Sequence, residues 1–234
     1  MSADTPTVGI VTALQMERRW LGFGVDPDRV EVGGMGRERA EAASRRLLSR
    51  GASALVSWGV AGGLDPRLES GTVVLANTVQ PAHGAPVGGD ASWRDQLQAL
   101  IGGRVSTTVG AVFHADEILD TVAGKRRVFE RWMSSIVDME TLGVARVAVE
   151  AGVPWIAVRV VTDDAGMKLS PEITGVSDDR GRLRPAMVAR LVLSPWLWRD
   201  LFRLARANAS AARSMREVSR IAGPDLAAID REVR

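Results

Sequence analysis

A helix followed at once by a strand between Val137 and Ala165 constrains the fold more than any other part of the chain. Gly152 and Pro154 predict the end of the helix, because glycine and proline stop helical hydrogen bonding. The run WIAVRVV, which begins at Trp155, is apolar and β-branched, and this is typical of a buried strand. The segment therefore indicates an α/β protein.

Strand-like and helix-like runs alternate along the rest of the chain, separated by short breaks. Predicted strands cover residues 8–13, 53–60, 72–76, 105–112, 136–139 and 155–161, and predicted helices cover residues 37–50, 122–133 and 140–151. This alternation predicts an α/β three-layer sandwich with a central mixed, twisted sheet. We interpret residues 1–234 as a single domain, in which residues 185–220 form an amphipathic helical extension rich in arginine and tryptophan.

The composition excludes several kinds of site. The chain has no cysteine, which removes disulfides, thiol nucleophiles and thiolate metal ligands. His83 and His114 are its two histidines, so we expect no metal centre, and we expect no other cofactor. The first residues lack the basic leader and apolar core of a secretory signal, and no stretch of sequence resembles a membrane span. We therefore expect a cytoplasmic protein.

Arginine dominates the end of the chain. Between Arg180 and Arg220 the acidic residues that oppose it are Asp200 and Glu217. Such a tail could bind nucleic acid, an anionic membrane surface or acidic partners, or it could be a solvated helix face. No motif that reads nucleic acid accompanies it, so we expect no nucleic-acid partner.

Residues 196–206 combine tryptophans and other apolar side chains with arginines at helical spacing. A basic amphipathic helix with tryptophan is typical of a protein that lies at a membrane interface. The same pattern is typical of a terminal helix that packs on a sheet, which is the commoner arrangement. Peripheral contact with the inner face of the membrane through residues 196–206 is therefore one of two interpretations.

Two carboxylates lie near the ends of the segment from Val137 to Ala165. Glu140 opens the helix, where the amide-rich N-terminus tolerates negative charge. Asp163 follows the strand at its carboxyl end, where open α/β sheets place their ligand crevices. Two such carboxylates in one crevice suit chemistry on a polar small molecule.

Three segments together resemble the nucleoside phosphorylase and nucleosidase superfamily. They are VGIVTALQME at 8–17, GVAGGLDPRLESGTVV at 59–74, and VDMET with VRVVTDDA between 137 and 165. Within the superfamily the chain is similar to the methylthioadenosine/S-adenosylhomocysteine nucleosidases. Residues 173–216 look like the carboxyl end of the hopanoid-associated phosphorylase family, which is thought to remove adenine from adenosylhopane.

The resemblance implies an enzyme that cleaves the N-glycosidic bond of a 5′-substituted adenosine. The narrower family implies adenosylhopane as the lipid-nucleoside substrate, adenine and ribosylhopane as products, and a role in hopanoid biosynthesis. Methylthioadenosine and S-adenosylhomocysteine are the alternative substrates. Asp163 matches the position that protonates adenine N7, with its neighbour Asp164 as the alternative, and Glu17 matches the glutamate that activates water. Glu140 matches the residue that binds the ribose hydroxyls.

The remaining residues of the site follow from the same resemblance. The predicted set is Met35, Ala61, Gly62, Ile118, Leu119 and Met139. Met139 would lie against the sugar as an adaptable apolar surface. Ile118 and Leu119 would line the base, and the glycine-rich stretch around Gly62 would let the backbone approach the ligand closely.

Either water or phosphate could be the nucleophile that attacks the ribose. Glu17 favours water, because a general base beside water produces the hydrolytic nucleophile. Phosphorolysis needs cations and amides around a phosphate, and residues 54–58 lack the arginine that phosphorylases of the superfamily commonly carry. Phosphorolysis of the same bond is the alternative reaction, since Arg37, Arg39 or Thr12 could contact a phosphate.

Two further expectations concern an ion pair and the assembly. A buried arginine must be paired, so Arg159 in the middle of its strand should contact a carboxylate, for which Asp163 is the suggested partner. The resemblance also implies a homodimer whose sites lie near the interface.

Overall fold

The computed structural model describes residues 6–22, 24–169 and 198–228, and eight strands of this part form one mixed sheet. The strands are β1 (Val8–Thr12), β2 (Val30–Val32), β3 (Ala54–Gly63), β4 (Val73–Gln80), β5 (Val87–Gly88), β6 (Thr107–His114), β7 (Ile136–Asp138) and β8 (Trp155–Asp163). The helices are α1 (Gln15–Arg18), α2 (Arg37–Ser49), α3 (Ala91–Ile101), α4 (Val122–Trp132), α5 (Thr141–Ala151) and α6 (Trp198–Ala222).

The sheet curls back on itself. Its strands follow the order β2-β1-β3-β7-β6-β4-β5, and β8 pairs with β3 in parallel and with β4 in antiparallel orientation. Strands β3, β8, β4, β6 and β7 thus pair in a closed ring. This closure brings the ends of β3, β7 and β8 together, with Gly62 opposite Val137 on one side and Asp163 on the other.

Helices cover the sheet on both faces. Side chains alternate along a strand, so Leu55 and Val56 of β3 point into different apolar layers. Leu55 packs in the layer that contains Leu142 of α5, and Val56 packs in the layer that contains Met215 of α6. Helices α2 and α5 lie on the first face, and α3 and α6 lie on the second. The predicted three-layer α/β fold with a mixed sheet is confirmed.

The glycine-rich stretch at residues 61–63 is part of a strand, although the predicted strand ended at residue 60. Strand β3 continues to Gly63, because its last residues pair with both β7 and β8. A side-chain carbon on Gly62 would lie 3.1 Å from Val137 Cγ1 and 3.1 Å from Asp163 Oδ2. The absence of a side chain therefore permits two neighbouring strands to approach β3 closely.

Helix α5 begins and ends where the sequence predicts. Glu140 occupies its N-cap position, and Gly152 ends it with a left-handed backbone angle of φ 67°. A glycine adopts that conformation without the steric cost that a side chain imposes. The connection between β7 and α5 is short, so Glu140 lies beside the end of β7. The turn after α5 leads directly into β8.

Helix α6 lies on the sheet through a stripe of small and apolar side chains. Ala207, Ala211, Met215 and Val218 are buried at spacings of three and four residues. Ser214 Oγ donates a hydrogen bond to the main-chain oxygen of Gly71 over 2.7 Å. Residues 207–218 of the helix thus pack on the sheet, whereas residues 202–206 near its start are mostly exposed. Both interpretations of residues 196–206 stay predictions.

Part of the predicted extension, residues 185–197 with Trp196, lies outside the described residues. Phe202, near the start of α6, has 70% of its surface exposed. Among the helices of residues 6–22, 24–169 and 198–228, none is long and apolar enough to cross a membrane. Membrane contact through residues 196–206 stays a prediction.

Candidate active site

A cavity of roughly 190 Å³ opens where β1, β3, β7 and β8 end. Its walls are formed by Ala13, Leu14, Glu17, Met35, Val60, Ala61, Gly62, Glu117, Ile118, Leu119, Val137, Asp138, Met139, Glu140, Thr162, Asp163 and Leu169. All nine residues that the sequence predicted for the site line this cavity. The structure therefore brings them together, and their individual roles stay predictions.

Glu17 is buried in the wall of the cavity and is held by main-chain amides. Its Oε2 accepts hydrogen bonds from the N–H groups of Ala13 and Leu14, each over 2.8 Å, and its Oε1 accepts one from Val60 over 2.9 Å. A side-chain carbon on Gly59 would collide with this carboxylate. Glycine at position 59 is thus a condition for Glu17 to reach the amides.

The environment of Glu17 suits a base that works near neutral pH. Burial raises the pKa of Glu17 because a charged carboxylate loses its hydration there. The positive charge of Arg159 and the amides of Val60, Leu14 and Ala13 oppose this rise. A carboxylate with a raised pKa binds a proton from water more readily than an ordinary glutamate does.

Arg159 pairs with Asp138, and the expected pairing with Asp163 was wrong. Its Nη2 lies 2.7 Å from Asp138 Oδ2 and 3.7 Å from Glu140 Oε2, and it also donates to Ser57 Oγ over 2.7 Å. Four residues of strand, about 13 Å, separate Arg159 from Asp163, which places that carboxylate out of reach. The arginine consequently balances the negative charges of the buried carboxylates of Asp138 and Glu140.

Asp138 is a residue of the site that sequence reasoning missed. It is buried at the end of β7, and its side chain accepts a hydrogen bond from the hydroxyl of Thr141 in addition to pairing with Arg159. Its position directly before Met139 and Glu140 was a usable signal, since the end of a strand commonly carries residues of the ligand site.

Glu140 faces the cavity from the N-terminus of α5. Its Oε1 accepts a hydrogen bond from the N–H of Gly36 over 2.9 Å. Burial raises the pKa of Glu140 to about 7, the negative charges of Asp138 and Glu17 add to the rise, and Arg159 opposes it. This carboxylate can accept hydrogen bonds from two hydroxyl groups, because both of its oxygens are acceptors.

We expect Glu140→Gln to stabilise the protein at pH 8 and to have little effect at pH 5. The raised pKa means that the folded state loses stability as pH rises from 4.5 to about 7, and glutamine resembles the neutral form. The gain in the free energy of unfolding at pH 8 should reach at most about 3 kcal/mol. Urea denaturation at both pH values measures it.

Glu150→Gln is the matched control for this prediction. Glu150 lies near the other end of α5, where its carboxylate is 57% exposed and pairs with Arg45. An exposed pair of this kind contributes little to stability. An equal stabilisation by Glu140→Gln at pH 5 and pH 8 would contradict the proton linkage.

Asp163 is buried at the end of β8, lines the same cavity as Glu140 and contacts a buried lysine. Lys125 Nζ of α4 lies 2.6 Å from Asp163 Oδ2, and Thr162 Oγ1 donates to Asp163 Oδ1 over 3.0 Å. Burial raises the pKa of Asp163, while the charge and hydrogen bond of Lys125 and the hydroxyl of Thr162 oppose the rise. The pKa of Asp163 thus lies above that of an ordinary aspartate, which is the direction that a general acid requires.

Asp164 has a different environment from Asp163. Its Oδ1 accepts a hydrogen bond from the N–H of Gly166 over 2.9 Å, within its own turn. Asp164 does not line the cavity, whereas Asp163 does. The geometry therefore favours Asp163 over the alternative that the sequence left open.

The residues suggested for a phosphate are not among those that line the cavity. Arg37 and Arg39 are in the first turn of α2, and neither they nor Thr12 line the cavity. Arg37 Nε lies 3.8 Å from Glu41 Oε1. His114 is buried and does not line the cavity, and burial lowers its pKa. Within the described ranges, no cluster of three or more His, Asp or Glu side chains could hold a metal ion.

Comparison with known proteins shows the family to which the chain belongs. The sequence model of the Phosphorylase superfamily matches residues 26–194, which is most of the chain. The chain belongs to this superfamily. The match includes the glycine-rich end of β3, Glu140 and Asp163. The predicted superfamily is confirmed, and with it the prediction that the chain is an enzyme of this class.

The relatives of the chain are nucleosidases. It is 26% identical to the 5′-methylthioadenosine/S-adenosylhomocysteine nucleosidase of Mycobacterium tuberculosis over 222 residues, covering 68% of this chain and 86% of the relative. Its fold matches the corresponding nucleosidase of Helicobacter pylori with a TM-score of 0.65 at 15% identity, covering 92% of this chain and 97% of the other. The futalosine hydrolase of Helicobacter pylori matches with a TM-score of 0.64 at 16% identity and the same coverage.

Proposed function

We propose that the protein hydrolyses the N-glycosidic bond of a 5′-substituted adenosine, and that the substrate is adenosylhopane. The products are adenine and ribosylhopane, so the reaction belongs to hopanoid biosynthesis. The observation that carries this proposal is the placement of three buried carboxylates, Glu17, Glu140 and Asp163, on one cavity. Each carboxylate has a different set of hydrogen-bond and ion-pair partners. Each set suits one of the three tasks of the reaction, which are to neutralise the leaving base, to hold the ribose and to supply the nucleophile.

The first task is to neutralise the leaving base. Cleavage of the bond leaves electrons on the purine and gives the ribose the character of an oxocarbenium ion. Asp163 donates its proton to adenine N7, so the base leaves as neutral adenine. The raised pKa of Asp163 supports this role, because the group must carry its proton near neutral pH. Ile118 and Leu119 form the apolar wall for the base.

The second task is to hold the ribose. Glu140 accepts hydrogen bonds from the 2′- and 3′-hydroxyls, and Met139 packs against the sugar. Arg159 Nη2 lies 3.7 Å from Glu140 Oε2, and its positive charge offsets part of the free-energy cost of burying this carboxylate. Met35, Ala61 and Gly62 complete the wall around the sugar.

The third task is to supply the nucleophile. Glu17 accepts a proton from a water molecule, whose oxygen then attacks the anomeric carbon. A bound phosphate would need amide donors, but the N–H groups of Ala13, Leu14 and Val60 already bind the Glu17 carboxylate. This arrangement supports water over phosphate as the acceptor, and phosphorolysis is the alternative outcome of the test below.

The apolar 5′ substituent is the finer part of the proposal. Leu14, Val137 and Leu169 also line the cavity, in addition to the residues assigned to the base and the sugar, and these apolar side chains suit a hydrocarbon that leaves the ribose site. A lipid substrate also gives the basic segment 196–206 a reason to touch the inner face of a membrane. The alternative is methylthioadenosine or S-adenosylhomocysteine, on which the mycobacterial relative is named to act.

Release of the purine base from a panel of nucleosides, hypoxanthine from futalosine and adenine from the others, tests the substrate. The panel contains adenosylhopane in detergent micelles, methylthioadenosine, S-adenosylhomocysteine and futalosine, each in the same detergent. We expect kcat/KM for adenosylhopane to exceed that for the two sulfur nucleosides. A higher value for methylthioadenosine would transfer the proposal to that substrate, and no release of a base from any of them would contradict it. Sedimentation of the same preparation tests the proposed homodimer.

A further inference from the structure

Lys125 is the buried residue of helix α4, whose other side chains are exposed or half-buried. Its Nζ contacts four oxygens: Asp163 Oδ2 at 2.6 Å and the main-chain oxygens of Asp164, Asp163 and Met167 at 2.8, 3.2 and 3.3 Å. The side chain has 0% of its surface exposed. It thereby joins α4 to the turn that follows β8.

Burial of this ammonium group is not explained by stability. Removing a lysine from water costs several kcal/mol or more, and a buried ion pair recovers that cost only with good geometry and further hydrogen bonds. Apolar residues of similar volume commonly replace such pairs without loss of stability. The four oxygens around Lys125 satisfy it, and its contact with the carboxyl group assigned to protonate the base gives the pair a functional reason.

We propose that Lys125 is a positioning residue for Asp163, which holds its carboxyl group at the cavity and stabilises the negative charge left there after adenine has been protonated. The inference rests on the function proposed above. In the step itself the O–H bond of Asp163 breaks, an N–H bond forms at adenine N7, and Asp163 becomes an anion. Lys125 keeps its own protons throughout and lies next to the charge that develops.

Other charged groups form the background of this pair. Glu117, Asp138, Glu140 and Glu17 line the same cavity, and Arg159 is paired with Asp138. In the part of the chain that the structure describes, Lys125 is the cation within ion-pairing distance of Asp163. Removal of its charge should therefore act on Asp163 more than on the other carboxyl groups.

The test combines two variants with a readout that does not depend on turnover. Lys125→Met removes the charge and the hydrogen bonds, whereas Lys125→Gln removes the charge but keeps a donor for the nearby oxygens. Carbon-13 NMR of labelled aspartate carboxyl groups, assigned with Asp163→Asn, follows the titration of Asp163 in each protein. We expect both substitutions to move its midpoint upward by about one pH unit or more.

Enzyme kinetics supply the second readout. The alkaline limb of the kcat/KM profile should move upward with the NMR midpoint, and kcat should fall more in Lys125→Met than in Lys125→Gln. Arg126→Met is the control, because Arg126 is 77% exposed on the same helix and pairs with Glu130. An Asp163 midpoint that is unchanged in either folded variant would overturn the proposal. If the wild-type protein released no base, the NMR midpoints would still decide the role of Lys125, while the proposed function would fail.

Discussion

Asp163→Asn is expected to lower kcat/KM for adenine release by about 10³-fold, within the range of general acid catalysis. Asparagine preserves the shape of the side chain but has no proton to give to adenine N7. The fold should persist, because Lys125 keeps the main-chain oxygens of residues 163, 164 and 167 as acceptors. Initial rates of adenine release with the preferred substrate, together with the melting temperature, measure both effects.

Asp164→Asn separates this effect from a general loss of charge. Asp164 is the next residue, but its carboxylate binds the N–H of Gly166 and does not line the cavity. We expect its kcat/KM to stay within a few-fold of wild type, about the scatter of a surface substitution. If Asp164→Asn lost as much activity as Asp163→Asn, the assignment of the acid would be wrong.

Glu17→Gln is the second large effect. We expect kcat to fall by about 10²- to 10⁴-fold, because glutamine cannot take a proton from water. The KM should change less, since Glu17 does not hold the base or the ribose in this account. Addition of phosphate should not restore the rate, because the glutamine side chain still fills the space beside the amides of Ala13, Leu14 and Val60, although its one oxygen cannot accept all three of their hydrogen bonds. Steady-state kinetics with and without phosphate test each part.

Glu38→Gln is the control for this substitution. Glu38 is exposed in the first turn of α2 and does not line the cavity, so its neutralisation should leave the rate unchanged. A Glu17→Gln protein that keeps full activity in the presence of phosphate would show that phosphate, and not water, attacks the ribose.

The sequence predicted the long elements of the fold because their patterns are local. The buried strand from Trp155 and the helix ended by Gly152 are visible in a few residues each. Strands β2 and β5 contain three and two residues, which is too short for any period to show. The extension of β3 through Gly63 depends on pairing with β7 and β8, which are far away in the sequence.

The residues of the candidate site were also predictable only in part. Glu17, Glu140 and Asp163 lie in segments that resemble a family, so they could be predicted before the fold was known. Lys125 could not, because its contact with Asp163 joins residues 38 positions apart. One signal was present, since Lys125 is one of two lysines in a chain whose other basic residues are arginines, but composition does not show which residue it contacts.

The pairing of Arg159 shows why spacing along a strand matters. Arg159 and Asp163 are close in sequence, and that closeness suggested an ion pair. An extended strand separates them, while the closed ring of strands and the start of α5 bring Asp138 and Glu140 to the arginine. Contacts across strands, which the sequence does not display, decided the electrostatics of the cavity.

The most direct test of the central claim identifies the atom that replaces adenine on the ribose. The wild-type protein acts on adenosylhopane, or on the best substrate of the panel, in water labelled with oxygen-18 and in the presence of inorganic phosphate, and mass spectrometry identifies the product. Hydrolysis predicts a ribosyl product that carries the label and that forms at the same rate without phosphate. An unlabelled, phosphorylated product that forms only when phosphate is present would contradict the account and make the protein a phosphorylase.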